Sequence, residues 1–200
     1  MKNILSELRA SVLVTVVLAV VCCGVYPLAV YGLGRLIFPN QAKGSLIVVD
    51  RVIRGSRLIG QQFTGEKYFH GRPSAAGSNG MSYDPTSSGG SNLGPTSQKL
   101  RDTIAQNIAD YRTQNGLGTN EPVPADAVTA SASGLDPHIS LRNAELQTAR
   151  VARVRGLTVA RVQALVRASV DEPSLGLLGE SGVNVLRLNL ALDAESPVAK

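Results

Sequence analysis

An α+β extramembrane domain attached to one N-terminal transmembrane helix is the fold class that three features of the sequence predict. The first is an uncharged run between Arg9 and Arg35. The second is a group of short, β-branched-rich segments just after it, and the third is a series of capped, helix-period segments in the C-terminal half. Size agrees, because 200 residues leave room for one domain plus one appended element. Hydrophobic residues make up 44% of the chain, and their excess sits in the first run.

Residues 10–34 are dominated by Val, Leu and Ala. About 25 residues rising about 1.5 Å each reach about 37 Å, enough to cross a hydrocarbon core of about 30 Å with some tilt. Pro27, Gly24, Gly32 and Gly34 would stop a soluble helix, but spanning helices tolerate them. Tyr26, Tyr31 and Phe38 collect where an interfacial aromatic belt would lie. A cleaved signal peptide is the competing reading; its apolar region is usually only about 7–15 residues, and no small-x-small cleavage site follows here. Cys22 and Cys23 read as small apolar packing residues, since Val21 is not the small residue expected before a lipid-bearing cysteine. The expected organisation is a short tail at 1–9, a span at 10–37 and the α+β domain at 38–200. Lys2 and Arg9 flank one side of the span and Arg35, Lys43, Arg51 and Arg54 the other, so charge counting leaves its orientation open.

The domain should begin with one or two strands built from Leu46-Ile47-Val48-Val49, Val52-Ile53 and Leu58-Ile59. Residues 71–96 are rich in Gly, Ser, Pro and Asn and predict a long functional or mobile loop. Leu100, Ile104, Ile108 and Tyr111 recur at helical spacing after a cap at Thr96 or Ser97, and Asn115 with Gly116 ends that helix. Residues 118–134 hold at most a short apolar turn. Ser140 caps a second helix running to about Arg155, with Gly156 at its C′ position. Thr158 caps a third, with Val162, Leu165, Val166 and Ser169 on one face and Pro173 at its end. The alternation over residues 183–192 predicts a strand, and the slip of its apolar phase between Val185 and Leu186 suggests a bulge or a strand buried on both faces.

Several chemistries lack their residues. There is no Walker phosphate loop, no H-E-x-x-H, no C-x-x-C and no G-x-S-x-G. Only His70 and His138 offer imidazoles, and the absence of Trp argues against an aromatic ligand cage. The net charge of +5 suits an anionic partner, yet a nucleic-acid stripe fits poorly with a membrane-anchored chain that lacks stacking aromatics. Arg142, Arg150, Arg153, Arg155, Arg161 and Arg167 read as mainly a solvated face of the later helices.

Three stretches stand out as interface or structural loops. Around His70 and Arg72, an aromatic pair enters a Gly/Ser loop; Tyr68 and Phe69 read equally as core plugs. Ser88, Gly89, Gly90 and Asn92 precede a helix and could turn backbone N–H groups toward an anion, though a capped turn explains them as well. In the third stretch, Asp136 is close enough in sequence to orient His138, and Ser140 is either a nucleophile or the cap of a helix.

Together these stretches bear a resemblance. Tyr26-Pro27-Leu28 at the end of a span, Gly-Arg-Pro-Ser at 71–74, Gly-Gly-Ser-Asn-Leu-Gly-Pro-Thr at 89–96, Ser-Gly-Leu-Asp-Pro-His-Ile-Ser at 133–140 and Arg-Val-Ala-Arg-Val-Arg-Gly-Leu at 150–157 occur in this order. The chain resembles the KdpC family, the single-span subunit of the bacterial Kdp potassium-transporting ATPase, over nearly its whole length. Leu141 stands where that family often has Pro, which should alter the start of the helix more than the function. The resemblance implies a non-catalytic accessory subunit, with no catalytic residue, no metal and no covalently bound cofactor of its own. It would support assembly of a high-affinity potassium uptake complex and act as a catalytic chaperone, raising the ATP affinity of the hydrolytic subunit. Potassium would be handled by a multi-span conducting subunit and ATP by the hydrolysing subunit, with room for a further small membrane subunit. The absence of an Asp-Lys-Thr-Gly phosphorylation motif agrees with that division of labour. The same resemblance places the chain in the inner membrane, N-terminus in the cytoplasm and large domain outside it, and marks Gln147 as a nucleotide contact. The alternatives are a membrane-tethered hydrolase using Ser140 or His138 and a tethered solute-binding module.

Overall fold

The computed structural model describes residues 2–77, 82–173 and 175–195, so residues 78–81 of the long loop lie outside the described residues. Two compact units emerge, Met1–Leu46 and Ile47–Lys200.

The first unit is mostly one helix. Helix α1 (Lys2–Val20) runs through a π-helical turn (Val21–Val25) into α2 (Tyr26–Ile37). Helix therefore begins ahead of the apolar run at residue 10 and includes most of the basic tail. Over Asn3–Ile37 it is long and apolar enough to cross a membrane. The π turn has a local cause. Pro27 has no N–H, and its ring crowds the carbonyl one turn back, so the helix widens and the Tyr26 N–H reaches Val21 O. A short helix α3 (Pro39–Ala42) follows, with Pro39 in its first turn.

The second unit is the α+β domain. Strands β1 (Leu46–Val49) and β2 (Val52–Ser56) form a two-stranded sheet whose turn residues, Asp50 and Arg51, both take positive φ. That is the mirror-image turn that matches strand twist. Leu58 and Ile59 extend no strand. Helices α4 (Gln98–Asn115), α6 (Leu141–Arg155) and α7 (Val159–Ala168) fall where capping residues predict them. The hydroxyls of Ser97, Ser140 and Thr158 accept the N–H groups of Leu100, Asn143 and Arg161, while Gly116 and Gly156 close α4 and α6 with φ of 66° and 67°. The expected apolar turn is the short helix α5 (Ala125–Val128).

Two sequence expectations change. The third helix stops at Ser169, ahead of Pro173, because the chain enters strand β4 (Val170–Asp171). Residues 183–192 are not one strand, bulged or buried on both faces: β5 (Gly182–Asn184) gives way to helix α8 (Val185–Glu195). The phase slip at Val185 marks that changeover. From there Val185, Leu188, Asn189 and Leu192 share one buried helical face, and leucine favours helix over strand. Strand β3 (His138–Ile139) completes an antiparallel sheet in the order β3-β5-β4, with His138 opposite Asn184 and Val170 opposite Val183.

One core holds this unit together. Ile139 and Val183 from the sheet meet Val151 of α6, Val162 and Val166 of α7, and Leu188 and Leu192 of α8. Phe69, from the irregular segment, is fully buried among them. Burying a side chain of this size contributes about 2–3 kcal/mol.

Candidate functional site

Among the described residues of 57–97 there is no strand or helix, so their position depends on side chains reaching in from elsewhere. Helix α6 supplies most of these. Gln147 is buried, and its amide grips the backbone of His70 from both sides: Oε1 accepts the His70 N–H at 2.8 Å and Nε2 donates to His70 O at 3.1 Å. The same amide donates to Asn143 Oδ1 and accepts from Arg150, so it is fully engaged within the fold. Asn189 of α8 repeats the grip one residue earlier, bonding the N–H and carbonyl of Phe69 at 2.9 Å each. Two amides therefore stand in for the missing neighbouring strand.

Arg150 extends the arrangement. Its guanidinium donates to the carbonyls of Glu66 and Tyr68, to Asn115 Oδ1 and to Gln147 Oε1. Arg155 holds Lys67 O and Asp193 and lies over the Tyr68 ring. These two arginines do not belong to a solvated face, contrary to the sequence expectation; the irregular segment covers them, and its carbonyls need donors. Arg142 and Arg161 are exposed and paired with Glu121 and Glu195.

A second cluster surrounds His138. The Asp136 carboxylate accepts Arg72 at 2.9 Å and the His138 backbone N–H at 3.0 Å. It does not hold the imidazole, whose Nδ1 stays 3.9 Å away. The ring instead lies with Nε2 3.0 Å from Asp171 Oδ2, while the other Asp171 oxygen accepts Arg57 and Arg187 at 2.8 Å each. Burial alone would raise the Asp171 carboxyl, but His138, Arg57 and Arg187 together hold it below its ordinary value. The expectation that Asp136 orients His138 is thus corrected: strand pairing brings Asp171 to the ring, and Asp136 anchors Arg72.

Ser140 is a helix cap. Its Oγ accepts from the Asn143 N–H and donates to Asp126 Oδ1, and its own N–H donates to Asp126 Oδ2. Ser88 and Gly89 both bond Ser133 O at 2.9 Å, and a Cβ at Gly90 would lie 3.0 Å from Ala132 O. The Gly89 N–H is therefore committed to the chain. Asn92 takes a left-handed φ of 53°, and Ser74 Oγ closes the same region by donating to Gly134 O at 2.6 Å.

His70, Arg72, Tyr83, Asp110, Tyr111 and Gln147 contribute to the lining of a cleft of about 320 Å³. Burial and the nearby Arg150 lower the His70 imidazole, whose Nε2 lies 3.1 Å from Gly65 O. Burial, reinforced by Asp136, pushes the Tyr83 hydroxyl up to about 12, and it donates to Arg72 O. Among the described residues, no group of three or more His, Cys, Asp or Glu could hold a metal ion.

The sequence-predicted residues thus fall into three sets: His70 with Gln147, Arg72 with Asp136 and His138, and residues 88–90 with the 132–133 turn. Ser140 and Asn92 fall in none of them. The sequence reading missed Asp126, Asp171 and Asn189. Asp126 carried a signal, an acid in the first turn of a short helix ahead of the Ser140 cap; the other two are joined to their partners only by folding.

The family model for KdpC, described as the K+-transporting ATPase c chain, matches residues 8–194. The potassium-transporting ATPase KdpC subunit of Nitratidesulfovibrio vulgaris is 53% identical over 190 residues, covering 95% of each chain. That of Mycobacterium bovis is 50% identical over 94% of this chain and 97% of its own. The Rhodopseudomonas palustris protein of the same name is 47% identical over 96% and 99%. With most of its apolar N-terminal helix, its gripped irregular segment and its capped helices inside the matched region, the chain belongs to the KdpC family.

Proposed function

We propose that this accessory subunit of a potassium pump supports assembly of the complex and raises the ATP affinity of the hydrolysing subunit without itself catalysing a reaction. The span anchors it in the inner membrane, with the N-terminus in the cytoplasm and the domain outside. The domain meets a multi-span potassium-conducting subunit, and the effect on ATP crosses the membrane as a coupling between sites.

The observation that carries this reading is the internal commitment of the chemistry-bearing side chains. Ser140 Oγ caps α6 and bonds Asp126, and the His138 ring lies on Asp171. A hydrolase needs a nucleophile held by a base, and this arrangement favours a rigid scaffold over a tethered hydrolase. Gln147 enters the coupling as the residue that fixes the His70 segment, since a nucleotide would have to displace bonds it already makes.

The test is a mild-detergent purification through this chain, followed by ATPase assays with and without it. Co-elution with a P-type ATPase subunit and a multi-span subunit is expected, together with a higher KM for ATP when the chain is omitted. Gln147→Leu separates the two roles of that residue. A positioning role lowers recovery of the complex and its activity together. A raised KM for ATP at unchanged recovery would instead mark a nucleotide contact.

A further inference from the structure

A backbone carbonyl inside a hydrocarbon core needs a hydrogen-bond donor, because no water reaches it there. Cys22 is the midpoint between Arg9 and Arg35, the charges that bracket the apolar run. At about 1.5 Å per residue each charge is about 20 Å away, beyond the core's half-thickness of about 15 Å. The Cys22 peptide therefore lies at mid-membrane depth.

Its carbonyl lacks both donors that a helix supplies. In an α-helix the donor is the N–H four residues on, but the Tyr26 N–H is committed to Val21 O. In a π turn the donor is five residues on, and there Pro27 has no N–H. Side chains do not make up the loss. Residues 16–30 contain no Ser, Thr, Asn, Gln or charged group. Thiols are weak donors, and from a helix they reach the carbonyl one turn before their own, so Cys22 and Cys23 serve other positions. The Tyr26 hydroxyl stands at the far end of a rigid ring and cannot fold back onto the preceding turn.

The missing donor narrows what covers this turn. Lipid tails carry none. A second copy of this chain, parallel or antiparallel, brings to that depth the same Val, Leu, Ala and Cys side chains. What remains is a helix of another subunit with a hydroxyl or amide side chain at mid-membrane. Gly24 gives such a helix room: a Cβ there would meet nothing of this chain within 4 Å, so only a neighbour needs the side chain to be absent.

We infer that the Cys22 carbonyl accepts a hydrogen bond from a spanning helix of another pump subunit, which carries a Ser, Thr, Asn or Gln side chain at mid-membrane and packs over Gly24. This rests on the assembly reading above and adds a contact inside the membrane to the one outside it.

The test is infrared spectroscopy of the full chain with isotope-labelled cysteine carbonyls. Cys22 and Cys23 are the only cysteines, so Cys23→Ala leaves one label, at Cys22. In lipid vesicles without partners its band should lie at the wavenumber of a free carbonyl, and in the purified complex it should move lower. Pro27→Ala restores an N–H at position 27 and should lower the band in the chain alone. A photoreactive phenylalanine at Tyr26, one turn on from Cys22, should cross-link to the donor helix. Replacing that helix's donor by Ala or Val should return the band to its free position and lower retention of this chain about threefold. A band that is the same in vesicles and complex would overturn the inference, as would one that Pro27→Ala leaves in place. So would adducts only with lipid, with a second copy of this chain, or with a helix that has no such donor. Those outcomes leave the assembly reading standing, since the complex is in hand. If the unaltered chain brings down no pump subunit, the assembly reading fails first and this contact with it.

Discussion

Around α6 the domain buries polar side chains, and along β1 and β2 it exposes apolar ones. Asn143, Gln147, Arg150 and Asn189 are all buried; the last three find partners in the irregular segment that covers them, and Asn143 finds its own in Tyr111 and Asp126. Val48, Val52 and Ile53 have ordinary core chemistry and no cover. The first region is complete within one chain, and the second leaves its apolar side chains exposed in it. Polarity by itself predicts neither burial nor stability; what decides is whether each group has a partner and where that partner resides.

Removing a partner in the complete region should therefore have the largest effect. Arg150→Met leaves the Glu66 and Tyr68 carbonyls and two side-chain acceptors without their donor, and should lower stability by about 3–5 kcal/mol. Denaturation of the detergent-solubilised chain would show it. A loss under about 1 kcal/mol would mean that water replaces the guanidinium and that the region is less closed than its burial implies. Asn189→Leu keeps the branched shape but strips both bonds from Phe69, and about 2–3 kcal/mol should be lost in the same assay.

The same contrast explains what the sequence disclosed. Helices α4, α6 and α7 were legible because their signals are local: Ser97, Ser140 and Thr158 at one end, Gly116 and Gly156 at two of the others. Phe69 as a core plug was legible from its chemistry. The grip of Gln147 on His70 joins residues far apart in the chain, and no spacing rule announces it. Arg150 looked solvated because helical periodicity says nothing about a covering loop. Helix α8 misled because Leu186, Leu188, Leu190 and Leu192 satisfy strand alternation while Val185, Leu188 and Leu192 satisfy the helical period; only tertiary packing chooses between them. Asp171 was missed for the reason Gln147's role was, since strand pairing brings it to His138.

Acid should separate two polar clusters by where each loses stability. Burial and Arg150 lower the His70 imidazole in the native state, so the unfolded chain binds the proton first. Stability then falls as pH drops below about 6.5, the ordinary histidine value, and goes on falling to the lower native one. The Asp171 carboxyl is also lowered, so its contribution is present above about pH 4 and lost as pH falls from there through the native value. Melting temperature against pH should thus decline in two stages. His70→Gln should flatten the first stage and leave the second; a profile unchanged by that substitution would assign the first stage elsewhere.

The smallest expected effect on stability belongs to the exposed region. Val48→Thr with Ile53→Thr keeps β-branched side chains in both strands, so strand propensity is preserved. Neither residue has a buried neighbourhood to disturb, and the change in stability should stay within about 0.5 kcal/mol. A destabilisation comparable to that of Asn189→Leu would show that β1 and β2 are packed within this chain, and the contrast between the two regions would collapse.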